Sequence, residues 1–388
     1  MSDDSADKGH ADEIFGLTAY EAAERQKRTF LPWHRPRKHF VRDRQWRIQI
    51  EALLTDIQLE DRTLRYFGLP GADLLDLRYF HSKVCEPNNI GLRFLGFDYS
   101  ANPASDSQTD LNISLDEVRR LAMVDPRSDI LGDDFCKVAN DDSIAWRKAH
   151  DLGPYDVVNL DLCDGLGIHA PSALDDTHYN AINRLLSLQS RHKRPWLLLL
   201  TTRAGEQHLH PEVLHKFLDK YLQNLESCSP FMATSLEKFD IGNATALREA
   251  AKTEIGLLVI SLAGLCKWLV GLVIEQSPPS TLEVRSIVGY RVAKNSACED
   301  MVSLAIRFQP TFAPVTDVLR LATRSAEPPN ECNLSTKILR RIANRKNADL
   351  ILASDAALQE EMRKSMATLL GIARYDTDAF YAWLEELP

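Results

Sequence analysis

From Leu64 onward, apolar runs of strand length alternate with segments of helical spacing. Leu64–Leu69 (LRYFGL) predicts a strand that stops at Pro70-Gly71, and Ala72–Val84 carries Leu74, Leu75, Leu77 and Phe80 at helical intervals. Leu92–Asp98 predicts a second strand, followed by a polar loop over Ser100–Asp110. A helix is expected from Ser114, because Ser114 and Glu117 stand at capping-box spacing. Ser128–Phe135 reads as a short third strand with its exit, Asp142–His150 as a helix, and Tyr155–Leu162 as the fourth strand. Asp176–His192 is helical, and Pro195–Thr202 (PWLLLLTT) is the near-continuous apolar strand expected where a sheet is covered on both faces. Long helices follow over Pro211–Glu226 and Thr245–Glu275. Leu282–Val292 and Met301–Phe308 then predict an antiparallel strand pair at the sheet edge. Such alternation implies an α/β fold with a mostly parallel sheet and helices on both faces. Right-handed crossovers bring the strand exits to one edge.

The flanks differ in composition. Residues 1–24 read as a flexible N-terminus and residues 25–63 as a basic leader helix region. Residues 64–321 form the α/β domain, Ala322–Leu334 has the composition of a linker, and residues 335–388 form a C-terminal helical region. Within Arg25–Arg47, nine lysines or arginines face a single acid, Asp43, with Trp33, His34, His39, Phe40 and Trp46 interleaved. Arg35, Arg37, Lys38 and Arg42 therefore become candidates for nucleic-acid binding, through phosphate contact and base stacking. The alternative is a helix face whose cations pair with acids elsewhere in the chain. In the tail, Lys337, Arg340, Arg341, Arg345 and Lys346 cluster.

A net charge of −9 argues against general coating of nucleic acid or membrane, while leaving room for a local patch. The seven cysteines include no CxxC pair and no Cys/His cluster at ligand spacing, so no metal site is expected. Free thiols in a reducing cytoplasm are the expectation. Ile255–Ile274 is long enough to span a bilayer, but Lys267 lies inside it and the flanks read as a soluble domain, so a buried helix is expected and no membrane partner.

Chemistry gathers at the strand ends. Strand one exits through Gly68 and Gly71, strand two at Asp98, strand three through Asp133-Asp134-Phe135, and strand four (VVNLD) at Asn159 and Asp161. In open α/β sheets ligands sit outside the carboxyl ends of the strands. This order resembles the class I S-adenosylmethionine-dependent methyltransferase fold over about residues 38–310, a Rossmann-like sheet of seven strands with the last antiparallel. The resemblance implies S-adenosylmethionine as cofactor. Gly68 and Gly71 would cradle its methionine, Asp98 its ribose, and Asp133 or Asp134 its adenine amine, with Phe135 beside the ring. Asp161 and Asn159 would face the methyl acceptor, with RNA as one candidate. The leader around Lys38, His39 and Trp46 is also similar to the lead-in helix of the three-Cys-motif partner proteins. The first loop, LPGADLLD, is poorer in glycine than the family's pattern, and Pro70 removes a backbone donor. A second expectation is therefore a methyltransferase-like scaffold without turnover, bound to protein partners in a larger prokaryotic complex.

Two further candidates stand apart. Cys163 and His169 invite a nucleophile reading against that of a buried apolar cysteine. The run HLHPEVLH (His208, His210, His215) invites a metal reading against that of exposed loop histidines. Arg203, at the exit of strand five, suits either an anionic substrate or a strand-end aspartate.

Overall fold

The structure is a computed structural model that describes residues 26–99, 106–172, 176–293, 298–311 and 329–386. The expected flexible N-terminus, part of the polar loop after Asp98 and most of the linker lie outside the described residues. Eight strands form one sheet: β1 (Thr63–Gly68), β2 (Gly91–Phe97), β3 (Asp129–Leu131), β4 (Val157–Asp161), β5 (Trp196–Arg203), β6 (Ser280–Tyr290), β7 (Met301–Pro310) and β8 (Lys346–Asn347). Their order is β3-β2-β1-β4-β5-β7-β6-β8. Only β7 opposes its neighbours, pairing antiparallel with both β5 and β6. The α/β, Rossmann-like architecture is thus as expected, with one more strand than the expected seven. The addition is the two-residue β8, which the tail lays parallel to Val288 and Gly289 of β6.

The leader runs as one helix, α1, through Pro36–Val41, a π-helical stretch at Arg42–Arg47, and Ile48–Asp56. The helices that follow are α2 (Leu75–Phe80), α3 (Asp106–Arg119), α4 (Ile144–Leu152), α5 (His178–Gln189) and α6 (Pro211–Ser227). Then come α7 (Ser229–Phe239), α8 (Ala244–Ala250), α9 (Glu254–Ile274), α10 (Glu331–Ala343), α11 (Ala348–Ser354), α12 (Ala356–Ile372) and α13 (Thr377–Glu385). Side-chain caps open several of them: Ser143 accepts from the Trp146 amide, Thr177 from Asn180, and Asp355 from Leu358.

Alternation along each strand divides the core in two. Val158, Leu160, Leu198, Leu200, Leu304 and Ile306 face α4, α5, α6 and α9. Val157, Leu197, Leu199 and Ala305 face the leader, α2 and the tail helices. The leader and the last three tail helices, α11–α13, thus share one face, with α12 packed on α1, while α10 packs on the other. Across the antiparallel pair, Trp196 and Phe308 sit in register and stack with ring centroids 4.1 Å apart.

Several sequence expectations are corrected. Ser114 does not cap a helix; α3 begins at Asp106, which puts Ser114 fully buried in its interior, while Glu117 pairs with Arg78. The single helix expected over Thr245–Glu275 breaks into α8 and α9, because Thr253 accepts from the Gly256 amide at 3.1 Å and starts a new helix. There the backbone closes tightly, since a Cβ on Gly256 would lie 2.1 Å from the Ala250 carbonyl. The expected linker gives way to α10 from Glu331. Not all cysteines are free thiols: Cys228 and Cys332 are disulfide-bonded with Cα atoms 5.6 Å apart, across 104 residues of sequence. Long and apolar enough to cross a membrane, α9 is here a core helix. Its Lys267 is buried, touches Asn224 and pairs with Glu331 at 2.7 Å.

Candidate active site at the carboxyl edge of the sheet

The parallel register of β3, β2, β1 and β4 brings their exits side by side. Gly68 lies between strands so closely that a Cβ there would meet the Tyr66 ring at 2.8 Å and the Asn159 carbonyl at 3.0 Å. Gly71 adopts φ +67°, a conformation glycine takes without strain, and the space where its Cβ would point is open. The loop between them and α2 is tied from both chain ends. Asp73 pairs with Lys27 of the leader at 2.7 Å and accepts the Tyr375 hydroxyl of the tail at 2.8 Å. Burial works against the Asp73 carboxylate, but the His34 imidazole 3.7 Å away and the Lys27 charge hold its pKa well below the usual range.

Asp98 follows β2 directly, is almost buried, and its amide donates to Leu131 at 3.0 Å. Asp134 accepts the Cys136 amide, and Asp133 accepts the Asp134 amide while pairing with Lys137. Phe135 is buried against Phe67 and Phe97, with His178 stacked near it at 6.5 Å.

Asn159 and Asp161, two residues apart, share the leader's face. Asp161 Oδ1 accepts from Lys38 Nζ at 2.5 Å. The Lys38 ammonium sits 4.5 Å from the Trp46 ring centroid and 5.9 Å from that of Tyr290. Burial alone would lower the Lys38 pKa; the Asp161 charge, helped by Tyr290 and Asp76, outweighs it and raises it, so the group stays protonated. One turn along α1, Arg42 pairs with Asp76 of α2 at 2.6 Å, both side chains being buried. Burial pushes the Asp76 carboxyl up, Arg42 opposes that, and Asp161 adds to it; the net direction is upward. Deeper still, Asn159 Nδ2 donates to the Tyr66 hydroxyl at 3.0 Å, and burial drives that phenol well above its usual range. Four charges of alternating sign therefore lie under the leader at the exits of β1 and β4.

The basic leader residues divide. Arg37 reaches Asp349 at 3.1 Å and Arg35 lies near Trp383, both partly exposed beside the exposed Trp33. Lys38 and Arg42 point inward and are out of reach of a phosphate on the surface. Arg203 pairs with Asp300, just before β7, at 3.0 Å, and not with a strand-end aspartate. His208 pairs with Asp164 and His210 caps α6; His169 packs against His178. Among the described residues no group of three or more His, Cys, Asp or Glu side chains is placed to hold a metal ion.

Sequence reasoning placed Asp161 at the site but missed its partners: Lys38 in this role, Arg42, Asp76, Tyr66 and Tyr290. A signal was present. Lys38, Arg42, Gln45, Trp46, Ile50 and Leu53 fall on one helical face, so two cations lie in register with the leader's buried stripe.

A family model described as PP_RS20740-like matches residues 27–385, spanning leader, sheet and tail. The chain belongs to the PP_RS20740-like family. No curated protein matches it. Among solved structures, the chain is similar to a putative class I S-adenosylmethionine-dependent methyltransferase from Listeria monocytogenes, at 12% identity and a TM-score of 0.32, covering 81% of this chain and 73% of that one. It is also similar to a chain of a fibrillarin/Nop5p complex, at 12% identity and a TM-score of 0.28, covering 53% of this chain and 78% of that one. For this member of the PP_RS20740-like family, the methyltransferase-like fold rests on the strand order and on the single reversed strand β7.

Proposed function

We propose that the chain is an S-adenosylmethionine-dependent methyltransferase whose acceptor group is held at Asp161. The observation that carries this reading is the Lys38–Asp161 pair, in which a buried ammonium meets a partly buried carboxylate. Removing two charges from water costs several kcal/mol per ion, and apolar packing often holds a structure better. Such a pair at the strand-exit edge is a costly way to hold a helix and suits a carboxylate held in one orientation for chemistry. The residues of β1 and β2 fit the cofactor: Gly68 allows close backbone approach, Gly71 leaves open space, and Asp98 offers a carboxylate for a ribose diol.

When bound, the cofactor supplies an electrophilic methyl group. Asp161 would accept a hydrogen bond from the acceptor's O–H or N–H and take up its proton as the nucleophile attacks. Lys38 is a positioning residue: it fixes the carboxylate's orientation. Tyr66 and Asn159 form the dry floor beneath, and catalysis is mainly orientation in that setting. Arg35, Arg37 and Trp33, at the surface of the leader, support RNA as the acceptor molecule.

A second reading, a binding subunit that keeps the fold without turnover, is favoured by two features. The β1 loop is tied down through Asp73, and Asp133 and Asp134 already serve local turns. Calorimetry with S-adenosylmethionine and its demethylated product, on the native chain and on Asp98→Ala, separates the two. The methyltransferase reading expects binding that weakens roughly tenfold to a hundredfold in the variant, as for loss of a charged hydrogen bond. No heat from the native chain would leave only the scaffold.

A further inference from the structure

Because β5 and β6 both oppose β7, they run in the same direction, and Tyr290-Arg291 leave β6 at the same edge of the sheet as Asp161. The leader meets them there through two consecutive residues. Lys38 and Tyr290 lie inward, the ammonium 5.9 Å from the ring centroid and bonded to Asp161. Their chain neighbours meet on the outside, where Arg37 Nη1 donates to the Arg291 carbonyl at 2.6 Å.

Both guanidinium groups gather on one carboxylate. Asp349, in the first turn of α11, lies 3.1 Å from Arg37 and 3.9 Å from Arg291 Nε, and it accepts the Arg291 amide at 2.7 Å. Arg35 is a third cation beside them: burial, and then the Arg37 charge, lower its pKa, while Asp349 opposes both. Its guanidinium lies 6.0 Å from the Trp383 ring centroid, and its buried Nε finds no partner among the described residues. Asp300 is engaged elsewhere, by Arg203 and by the Val292 and Ala293 amides. Among the described residues, three guanidinium groups thus share Asp349 alone. A chain of net charge −9 has acids to spare, yet this rim draws only one. The Arg291 side chain stays 52% exposed, and Trp33, two residues before Arg35, is exposed as well.

We infer that Arg35, Arg37 and Arg291 form a phosphate clamp for single-stranded RNA, seated outside the Lys38–Asp161 pair. The inference deepens the methyltransferase reading and rests on it for what the strand is brought to. Arginine forks match the free oxygens of a phosphodiester, and the exposed Trp33 ring offers a face to a neighbouring base. Contacts of this kind fix the register of a strand and carry no sequence information. The clamp therefore sets which part of the strand reaches Asp161, and leaves the choice of base to the pocket.

The test is fluorescence anisotropy of a short labelled oligouridylate titrated with the full chain over a series of salt concentrations. Binding is expected, with affinity that falls steeply as salt rises. Arg37→Gln with Arg291→Gln removes two contacts and should reduce the salt slope by about 1.4 and the affinity roughly tenfold or more. Arg35→Gln breaks no ion pair among the described residues and should weaken binding in the same direction. Lys337→Gln with Arg341→Gln subtracts the same charge from α10, on the other face of the sheet, and should leave binding unchanged. The proposal is overturned if the oligonucleotide does not bind at low salt, if the rim variants bind it as the native chain does, or if the α10 variant weakens it as much. Retention on phosphatidylserine vesicles without oligonucleotide binding would assign the rim to a membrane and overturn it too. Calorimetry with S-adenosylmethionine keeps the two readings apart. Cofactor binding without RNA binding removes the clamp alone, and RNA binding without cofactor binding removes the methyltransferase alone.

Discussion

The two faces of the sheet are held by different physics. On the α5–α9 face, Leu198, Leu200, Leu304 and Ile306 meet helices through apolar contacts that have no directional demand. On the leader's face, a comparable apolar layer is interrupted by Lys38–Asp161 and Arg42–Asp76. Asp43 there bonds Tyr79 and Arg47, and His39 bonds Ser365. A layer built mainly of apolar contacts supplies stability and tolerates repacking. A layer of matched ions supplies little net stability, but it penalises any arrangement in which one partner is displaced. The face that carries the candidate site is thus the one whose geometry is most narrowly specified.

The largest effect that would break this comparison comes from Lys38→Met. It strands the Asp161 carboxylate and should lower unfolding stability by about 3–5 kcal/mol, as for other broken buried pairs. Adding Asp161→Leu should recover most of that loss in a denaturant titration. A single variant as stable as the native chain would mean that the pair does not hold the face. On the other side, Leu304→Ala removes a fully buried side chain and should cost about 3 kcal/mol through lost transfer energy and a residual cavity. That penalty should be the same at roughly pH 5 and 7, since no ionisation is involved.

The test sharpest in its pH signature uses His39. Burial, followed by the Arg42 charge, depresses its pKa to about 3, so the folded state keeps it neutral. The unfolded chain takes up its proton near the ordinary value of about 6.5. Between these two values the unfolded state binds more protons, so stability is complete above the upper one and falls on acidification towards the lower. The slope contributed reaches about 1.4 kcal/mol per pH unit. His39→Gln should flatten that part of the stability profile, measured by denaturant unfolding across the acid range. An unchanged slope would show that His39 is not the group responsible.

Much of this was legible before any coordinates. Period-two and apolar runs marked β1, β2, β4 and β5 to within a residue or two, because parallel strands buried on both faces are strongly written in composition. The exits at Gly68, Asp98 and Asp161 followed from those runs. Misreadings came where local signals compete with packing. Ser114 looked like a cap, yet the helix around it gains more by burying Leu111, Leu115 and Val118. Lys38 looked like a surface cation because charge was weighed residue by residue, without the helical face that aligns it with Trp46.

Chain order alone was enough to settle the α/β class, the strands that deliver carboxylates, and the apolar character of α9, since each depends on neighbours a few residues apart. Which distant partners meet was decided only by folding: Lys38 with Asp161, Arg42 with Asp76, Cys228 with Cys332. Those pairings join residues tens to hundreds of positions apart, and both ion pairing and disulfide formation depend on distance in space, about which spacing along the chain says nothing.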